Sequence, residues 1–173
     1  MSGVYKCGTV ALLGDPNAGK SSLVNALVGC QVAITAPVAG TTRNTIRGIL
    51  NTKESQIIFV DTPGIHKATH ELGKIMNQTV YDSLDGMDVI LYFVDARFPI
   101  SDTDANVLDS LRKEKTPVIL VLNKVDLVDN KEKLQANIES YKNHFNFSGG
   151  ITISAEFGYS VDSLLEMIIS RLS

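Results

Sequence analysis

A three-layer α/β fold is predicted, with a mostly parallel six-stranded sheet carrying helices on both faces. Three observations predict it. Apolar runs alternate with stripes at helical spacing along the whole chain, the rhythm that builds parallel sheets. Two runs, 89–94 (VILYFV) and 118–122 (VILVL), are apolar without interruption, as strands covered on both faces are. At 173 residues, 44% apolar and 20% charged, the chain is long enough for one domain with a full core.

The elements follow in order. Residues 5–13 read as a first strand running into a glycine-rich loop, and 20–28 as a helix behind it. Residues 47–50 and 57–61 are two short strands around the polar stretch 51–56, a hairpin. Leu72, Ile75, Met76 and Val80 share a helical face ahead of the 89–94 strand. Val107, Leu108 and Leu111 form the next stripe, and Leu134, Ile138 and Tyr141 follow the 118–122 strand. Residues 151–153 are a short last strand, and Val161, Leu164, Leu165, Ile168 and Leu172 a closing helical stripe. Core packing accounts for all these stripes. There is no internal repeat, low-complexity tract or linker, so 1–173 reads as a single domain.

Composition excludes several classes. Sixteen Lys and Arg against 19 Asp and Glu give a net charge of −3, without the basic excess of a polyanion-binding surface. Strong RNA contact would need another domain. Cys7 and Cys30 have neither metal spacing nor a disulfide framework, and reduced thiols suit a cytoplasmic protein. No leader pattern opens the chain. No stretch approaches the roughly 20 apolar residues of a membrane span.

Gly14-Asp15-Pro16-Asn17-Ala18-Gly19-Lys20-Ser21 matches G-x-x-x-x-G-K-S/T between a strand and a helix, the context that confirms a phosphate loop. Glycines let the backbone curl without Cβ clashes. Amides then converge on phosphate oxygens at a helix N-terminus, where the dipole favours anions. Lys20 supplies a point charge to the β- and γ-phosphates, and the Ser21 hydroxyl suits Mg²⁺. Asn17, Ala18, Gly19, Lys20, Ser21 and Ser22 are the predicted phosphate-side nucleotide contacts. By average usage the four fixed positions coincide in roughly 4 of 100,000 windows. A glycine turn with a surface lysine is the bland alternative.

Asp61-Thr62-Pro63-Gly64 closes the run IIFVD. An aspartate there can hold a magnesium water beside the phosphates, and Gly64 offers a bare amide to a γ-phosphate. D-x-x-G alone is expected by chance in most chains of this length. Gly40-Thr41-Thr42-Arg43 lies between the first helix and the hairpin. Thr42, rather than Thr41, is the predicted Mg²⁺ ligand beside Ser21 and Asp61; an ordinary threonine-rich turn is the alternative. Residues 33–42 are loop-like, suited to ordering on ligand binding.

Asn123-Lys124-Val125-Asp126 follows the 118–122 strand. A carboxylate is the acceptor that guanine needs for its adjacent N1–H and N2–H₂. Adenine would leave Asp126 unpaired, a mismatch that rejects a ligand by as much as about 10⁴–10⁵-fold. The Lys124 stem suits the base plane, and Asn123 suits a tie to the phosphate loop. N-K-x-D arises by chance in roughly 2% of chains this long. Ser154-Ala155-Glu156 follows the last strand, where an amide can meet guanine O6. The order of all five motifs, at strand C-termini or in switch loops, carries more weight than any one of them.

With these motifs the chain resembles a P-loop NTPase of the Ras-like G-domain type, and most closely the Era family of GTPases. GDPNAGKSSLVNALVG, GTTR, DTPGIHK with His70 and Leu72, NKVD and ISAEFGYSVDSL carry the resemblance over nearly all of 4–173. It implies GTP hydrolysis to GDP and phosphate, Mg²⁺ as cofactor, and Lys20, Thr42, Gly64 and Asn17 as the catalytic set. It implies 16S rRNA and the small ribosomal subunit as partners, in ribosome assembly, through a C-terminal RNA-binding domain absent from these residues. It also implies peripheral membrane association. The Gln that orients water in Ras-like switches is Ile65 here. In related GTPases an Asn at the Asn17 position helps bind K⁺. Other readings are the G domain of another bacterial ribosome-assembly or tRNA-modification GTPase, a P-loop ATPase or small-molecule kinase, and a non-hydrolysing guanine-nucleotide scaffold.

Overall fold

The computed structural model describes residues 6–14, 36–37, 45–61, 86–112, 115–154 and 160–172. Strands β1 (Lys6–Gly14), β2 (Ala36–Pro37), β3 (Thr45–Asn51), β4 (Ser55–Asp61), β5 (Val89–Asp95), β6 (Val118–Asn123) and β7 (Gly149–Thr152) form one sheet in the order β2-β3-β4-β1-β5-β6-β7. β1 runs parallel to both β4 and β5, β5 to β6, and β6 to β7. Only the β3–β4 hairpin and the β2–β3 pair are antiparallel. The six predicted strands are all present. Residues 33–42, expected to be loop, contain the two-residue β2, too short for any periodicity to reveal.

Alternate residues of the central strands feed two cores, as the period of two requires. Val10, Leu12, Leu91, Phe93 and Val121 face one side with helix α3 (Val161–Ile169), through Val161, Leu164 and Ile168. Ala11, Leu13, Ile90, Tyr92 and Leu120 face the other, with α1 (Asp102–Leu111) and α2 (Lys131–His144). Both sheet faces are therefore covered, which is why the 89–94 and 118–122 runs carry no polar residue. The helices expected over 20–28 and around Leu72–Val80 lie outside the described residues.

Local chemistry sets the boundaries. The hairpin turn is tighter than the polar 51–56 stretch implied. Asn51 and Gln56 pair, and the turn closes with the Thr52 N–H donating to the Ser55 carbonyl at 2.8 Å. The two hydroxyls of Thr52 and Ser55 meet at 2.7 Å, so Ser55 is buried yet satisfied. Helix α1 opens with a capping box: Ser101 Oγ accepts from the Asp104 N–H, and the Asp104 carboxylate accepts from the Ser101 N–H. Asn130 caps α2 by accepting from the Glu132 and Lys133 amides. The closing stripe runs to Leu172, but α3 ends at Ile169. The Arg171 and Leu172 amides reach back only three residues, to Ile168 and Ile169, so the last turn tightens while Leu172 stays buried. The last strand begins earlier than residues 151–153 suggest, because Gly149 and Gly150 read as a turn. A Cβ at Gly149 would lie 2.8 Å from Met167 Cε of α3.

Candidate functional site

All five parallel strands point the same way, so their carboxyl ends share one edge of the sheet, where open α/β folds hold ligands. Gly14 ends β1, Asp61 ends β4, Asp95 ends β5, Asn123 ends β6, and Ser154 lies just beyond β7.

The phosphate side begins at Gly14. Its φ is +123°, and a Cβ there would sit 2.2 Å from the Phe93 carbonyl oxygen of β5. Only glycine lets β1 leave the sheet here and turn into the predicted phosphate loop. Asn17, Ala18, Gly19, Lys20, Ser21 and Ser22 lie outside the described residues, as do Thr42, Gly64, Ile65, Ala155 and Glu156. Asp61 is placed by its backbone, beside Leu12 in the parallel register and Thr45 in the antiparallel one. It thus stands on the strand next to the one that opens the phosphate loop, as a metal-side acid must.

The base side is described in more detail. Asn123 is 3% exposed, and its carbonyl accepts from the Ala96 N–H at 2.8 Å, extending the β5–β6 contact past the last paired residues, Asp95 and Asn123. Lys124 is left-handed, φ 64° and ψ 32°, a conformation that a non-glycine residue adopts only when its surroundings impose it. The chain then winds into one 3₁₀ turn, Val125–Leu127, with the Leu127 N–H donating to the Lys124 carbonyl at 2.9 Å. Asp126 rides on this turn, exposed at the ligand edge. The Val125 N–H donates to the Ile153 carbonyl at 3.1 Å, joining the NKVD loop to the residue before Ser154. Ser154 is 2% exposed, yet its Oγ has no hydrogen-bond partner among the described residues. A buried orphan hydroxyl next to an exposed carboxylate loop suits a polar ligand or a loop that closes on one. The structure thus brings Asn123, Lys124, Asp126 and Ser154 together around one loop.

One acid at this edge escaped the motif analysis. Asp95 accepts from the Arg97 N–H at 3.0 Å, from Arg97 Nε at 3.0 and 3.2 Å and from Arg97 Nη2 at 2.7 Å. Lys124 Nζ lies 3.7 Å from Asp95 Oδ2. Burial alone pushes the Asp95 carboxyl up, but the Arg97 guanidinium and amide, with Lys124 behind them, hold it below its ordinary value. The available signal was an acid closing a buried strand, the same signal as Asp61. A cavity of about 470 Å³ between Leu111, Pro117, Phe145 and Phe147 opens at the opposite edge, by the amino end of β6, away from these groups.

Comparisons with known proteins agree with this geometry. A family model described as 50S ribosome-binding GTPase matches residues 9–124. GTPase Era of Caldanaerobacter subterraneus subsp. tengcongensis is 48% identical over 168 residues, 97% of this chain and 56% of the relative. GTPase Era of Thermoanaerobacter sp. (strain X514) is 44% identical over 168 residues, 97% of this chain and 55% of the relative. The chain thus spans about half the length of the curated relatives it matches. Among solved structures, Era in complex with MgGDPNP and nucleotides 1506–1542 of 16S ribosomal RNA matches with TM-score 0.75 and 34% identity, over 97% of this chain and 57% of that one. An Aquifex aeolicus Era variant bound to GDP.AlF4- matches with TM-score 0.74, 34% identity and the same coverage.

Proposed function

Because the chain belongs to the 50S ribosome-binding GTPase family and shares the sequence and fold of its Era relatives, we propose that it binds GTP and hydrolyses it to GDP and phosphate as a switch domain. The observation that carries this reading is the NKVD loop: a left-handed Lys124, an exposed Asp126 and a buried Ser154 Oγ with no hydrogen-bond partner among the described residues, tied together through Val125 and Ile153. Asp126 accepts the two N–H groups of guanine, and the Lys124 stem covers the base. Residues 1–173 act as one G domain.

On the phosphate side, the amides of Asn17, Ala18, Gly19, Lys20, Ser21 and Ser22 hold the phosphates, and Lys20 neutralises them. Ser21, Thr42 and Asp61 offer the hydroxyl and carboxylate oxygens that Mg²⁺ prefers, and Asp61 stands on the strand beside the phosphate-loop strand. Mg²⁺ bound there would supply charge to the β- and γ-phosphate oxygens. Gly64 donates its amide to the γ-phosphate, and Ala155 and Glu156 complete the loop around guanine. Ile65 has no group to orient water; the Asn17 carbonyl is a candidate K⁺ ligand, and K⁺ held there would supply the positive charge that arginine fingers supply for about 10³–10⁵-fold gains.

For the whole protein we propose a cytoplasmic role in small-subunit assembly with 16S rRNA as partner. The net charge of −3, with no basic excess, supports an RNA contact made mainly by other parts of the whole protein. Two assays test the domain. GTP is expected to bind at least about 10³-fold more tightly than ATP, because adenine offers the Asp126 carboxylate neither of the two N–H donors that guanine presents. Single-turnover phosphate release is expected to be faster in KCl than in NaCl at equal ionic strength, and Asn17→Ala to remove the difference. Equal binding of ATP and GTP refutes the guanine site. GTP binding without phosphate release in either salt favours a non-hydrolysing scaffold.

A further inference from the structure

Among the described residues, Asp95 is a carboxylate at the ligand edge that no recognised motif uses. It is held on three sides: by the Arg97 guanidinium through both carboxylate oxygens, by the Arg97 amide, and by its place on β5 opposite Asn123. The Asp95 side chain is only 16% exposed, against 39% for Arg97. Arg97 satisfies this carboxylate on its own, with the bidentate geometry that fixes both partners. Lys124, entering from the next strand, adds a second cation at 3.7 Å that the carboxylate does not need.

The lysine gains more from the contact. A lysine stem has more rotamer freedom than almost any other side chain, and lying flat over a base forfeits that freedom. A fixed anion beyond the end of the stem pays part of that entropy before ligand arrives. The left-handed turn at Lys124 aims the residue out of the β6 line, and its ammonium still meets the end of β5. We propose that Asp95, braced by Arg97, is a positioning residue that anchors the Lys124 ammonium and so pre-sets the lysine stem over the guanine plane. This inference rests on the guanine-site reading given above.

A double-mutant cycle tests it, with GDP and GTP dissociation constants measured for the wild type, Asp95→Asn, Lys124→Met and the double variant. Asp95→Asn is expected to weaken both nucleotides equally, by about fivefold, the size of one well-placed, partly exposed ion pair. In the Lys124→Met background the same change is expected to cost less than about twofold, because there is no ammonium left to position. Arg97→Gln keeps the carboxylate but removes its brace, and is expected to weaken both nucleotides by about twofold; it serves as the second variant if Asp95→Asn does not fold. A cost that persists undiminished in the Lys124→Met background marks Asp95 as a general structural acid and overturns the proposal. So does the absence of any cost from either single change. If wild-type protein binds ATP as well as GTP, the guanine reading fails instead, and the same cycle run with ATP still decides whether Asp95 acts through Lys124.

Discussion

Strands β4 and β5 flank β1 and end alike, in IIFVD and YFVD, each delivering an aspartate to the ligand edge of the sheet. Their neighbours differ. Asp61 stands beside Leu12 of the strand that becomes the phosphate loop, whereas Asp95 stands beside Asn123 of the strand that becomes the base loop. Two similar strand endings therefore stand at opposite ends of the proposed nucleotide site. A strand terminus supplies the acid, but sheet order decides which chemistry the acid meets.

The largest expected effect comes from the strand between them. Gly14→Ala drives a Cβ to 2.2 Å from the Phe93 carbonyl oxygen at a φ of +123°, where β1 parts from β5. Backbone strain and overpacking together are expected to cost about 3 kcal/mol or more. Denaturant unfolding of the nucleotide-free protein checks this; a loss under about 1 kcal/mol would mean that β1 leaves the sheet differently.

The comparison itself is sharpened by exchanging each acid for its amide. Asp61→Asn is expected to raise the Mg²⁺ concentration needed for tight GTP-analogue binding by about 10–100-fold, the usual cost of disturbing a group that orients a metal's ligands. Asp95→Asn is expected to leave the Mg²⁺ requirement unchanged. Titrating Mg²⁺ against nucleotide affinity for both variants checks the division, and a Mg²⁺ shift of similar size in both would erase it.

The smallest effect is a pH dependence. Asp95 titrates below its ordinary value in the folded protein, so its contribution to stability is fully present above that ordinary value, near 3.8, and is lost as pH falls through the folded value. The pair with Arg97 is partly open to water, which limits the contribution to below about 1 kcal/mol. The stability gap between wild type and Asp95→Asn is expected to be constant from about pH 7 to about pH 5 and to narrow only as pH falls below the ordinary value of 3.8. Urea unfolding across that range checks it; a gap unchanged at the acid end would show that Asp95 is not held ionised by its partners.

The same contrast explains what the amino-acid sequence reveals. β5 and β6 were legible because burial on both faces leaves the unbroken apolar runs VILYFV and VILVL. Gly149 and Gly150 hid the start of β7, since a glycine pair looks like a turn even where, as at Gly149, close contact with Met167 of α3 leaves no room for a Cβ. Asn123, Lys124, Asp126 and Ser154 were legible as contiguous motifs. The left-handed backbone of Lys124 was not, because a single lysine carries no sign of its own φ. Asp95 was missed for a related reason. Its partner Arg97 is local, but its meaning depends on β6 lying next to β5, a fact of sheet order that no local pattern contains.

The most direct test of the central claim, that this edge of the sheet is a guanine site, changes Asp126 to asparagine. The amide meets guanine's donors with a donor of its own, so GTP affinity is expected to fall by about 100-fold or more, as a charge-assisted pair is lost. Xanthine has a carbonyl where guanine has its amine, so the same variant is expected to gain tight binding of xanthosine triphosphate. Measured side by side, a switch from GTP to xanthosine triphosphate supports the account. Unchanged GTP binding with no gain for xanthosine triphosphate would contradict it.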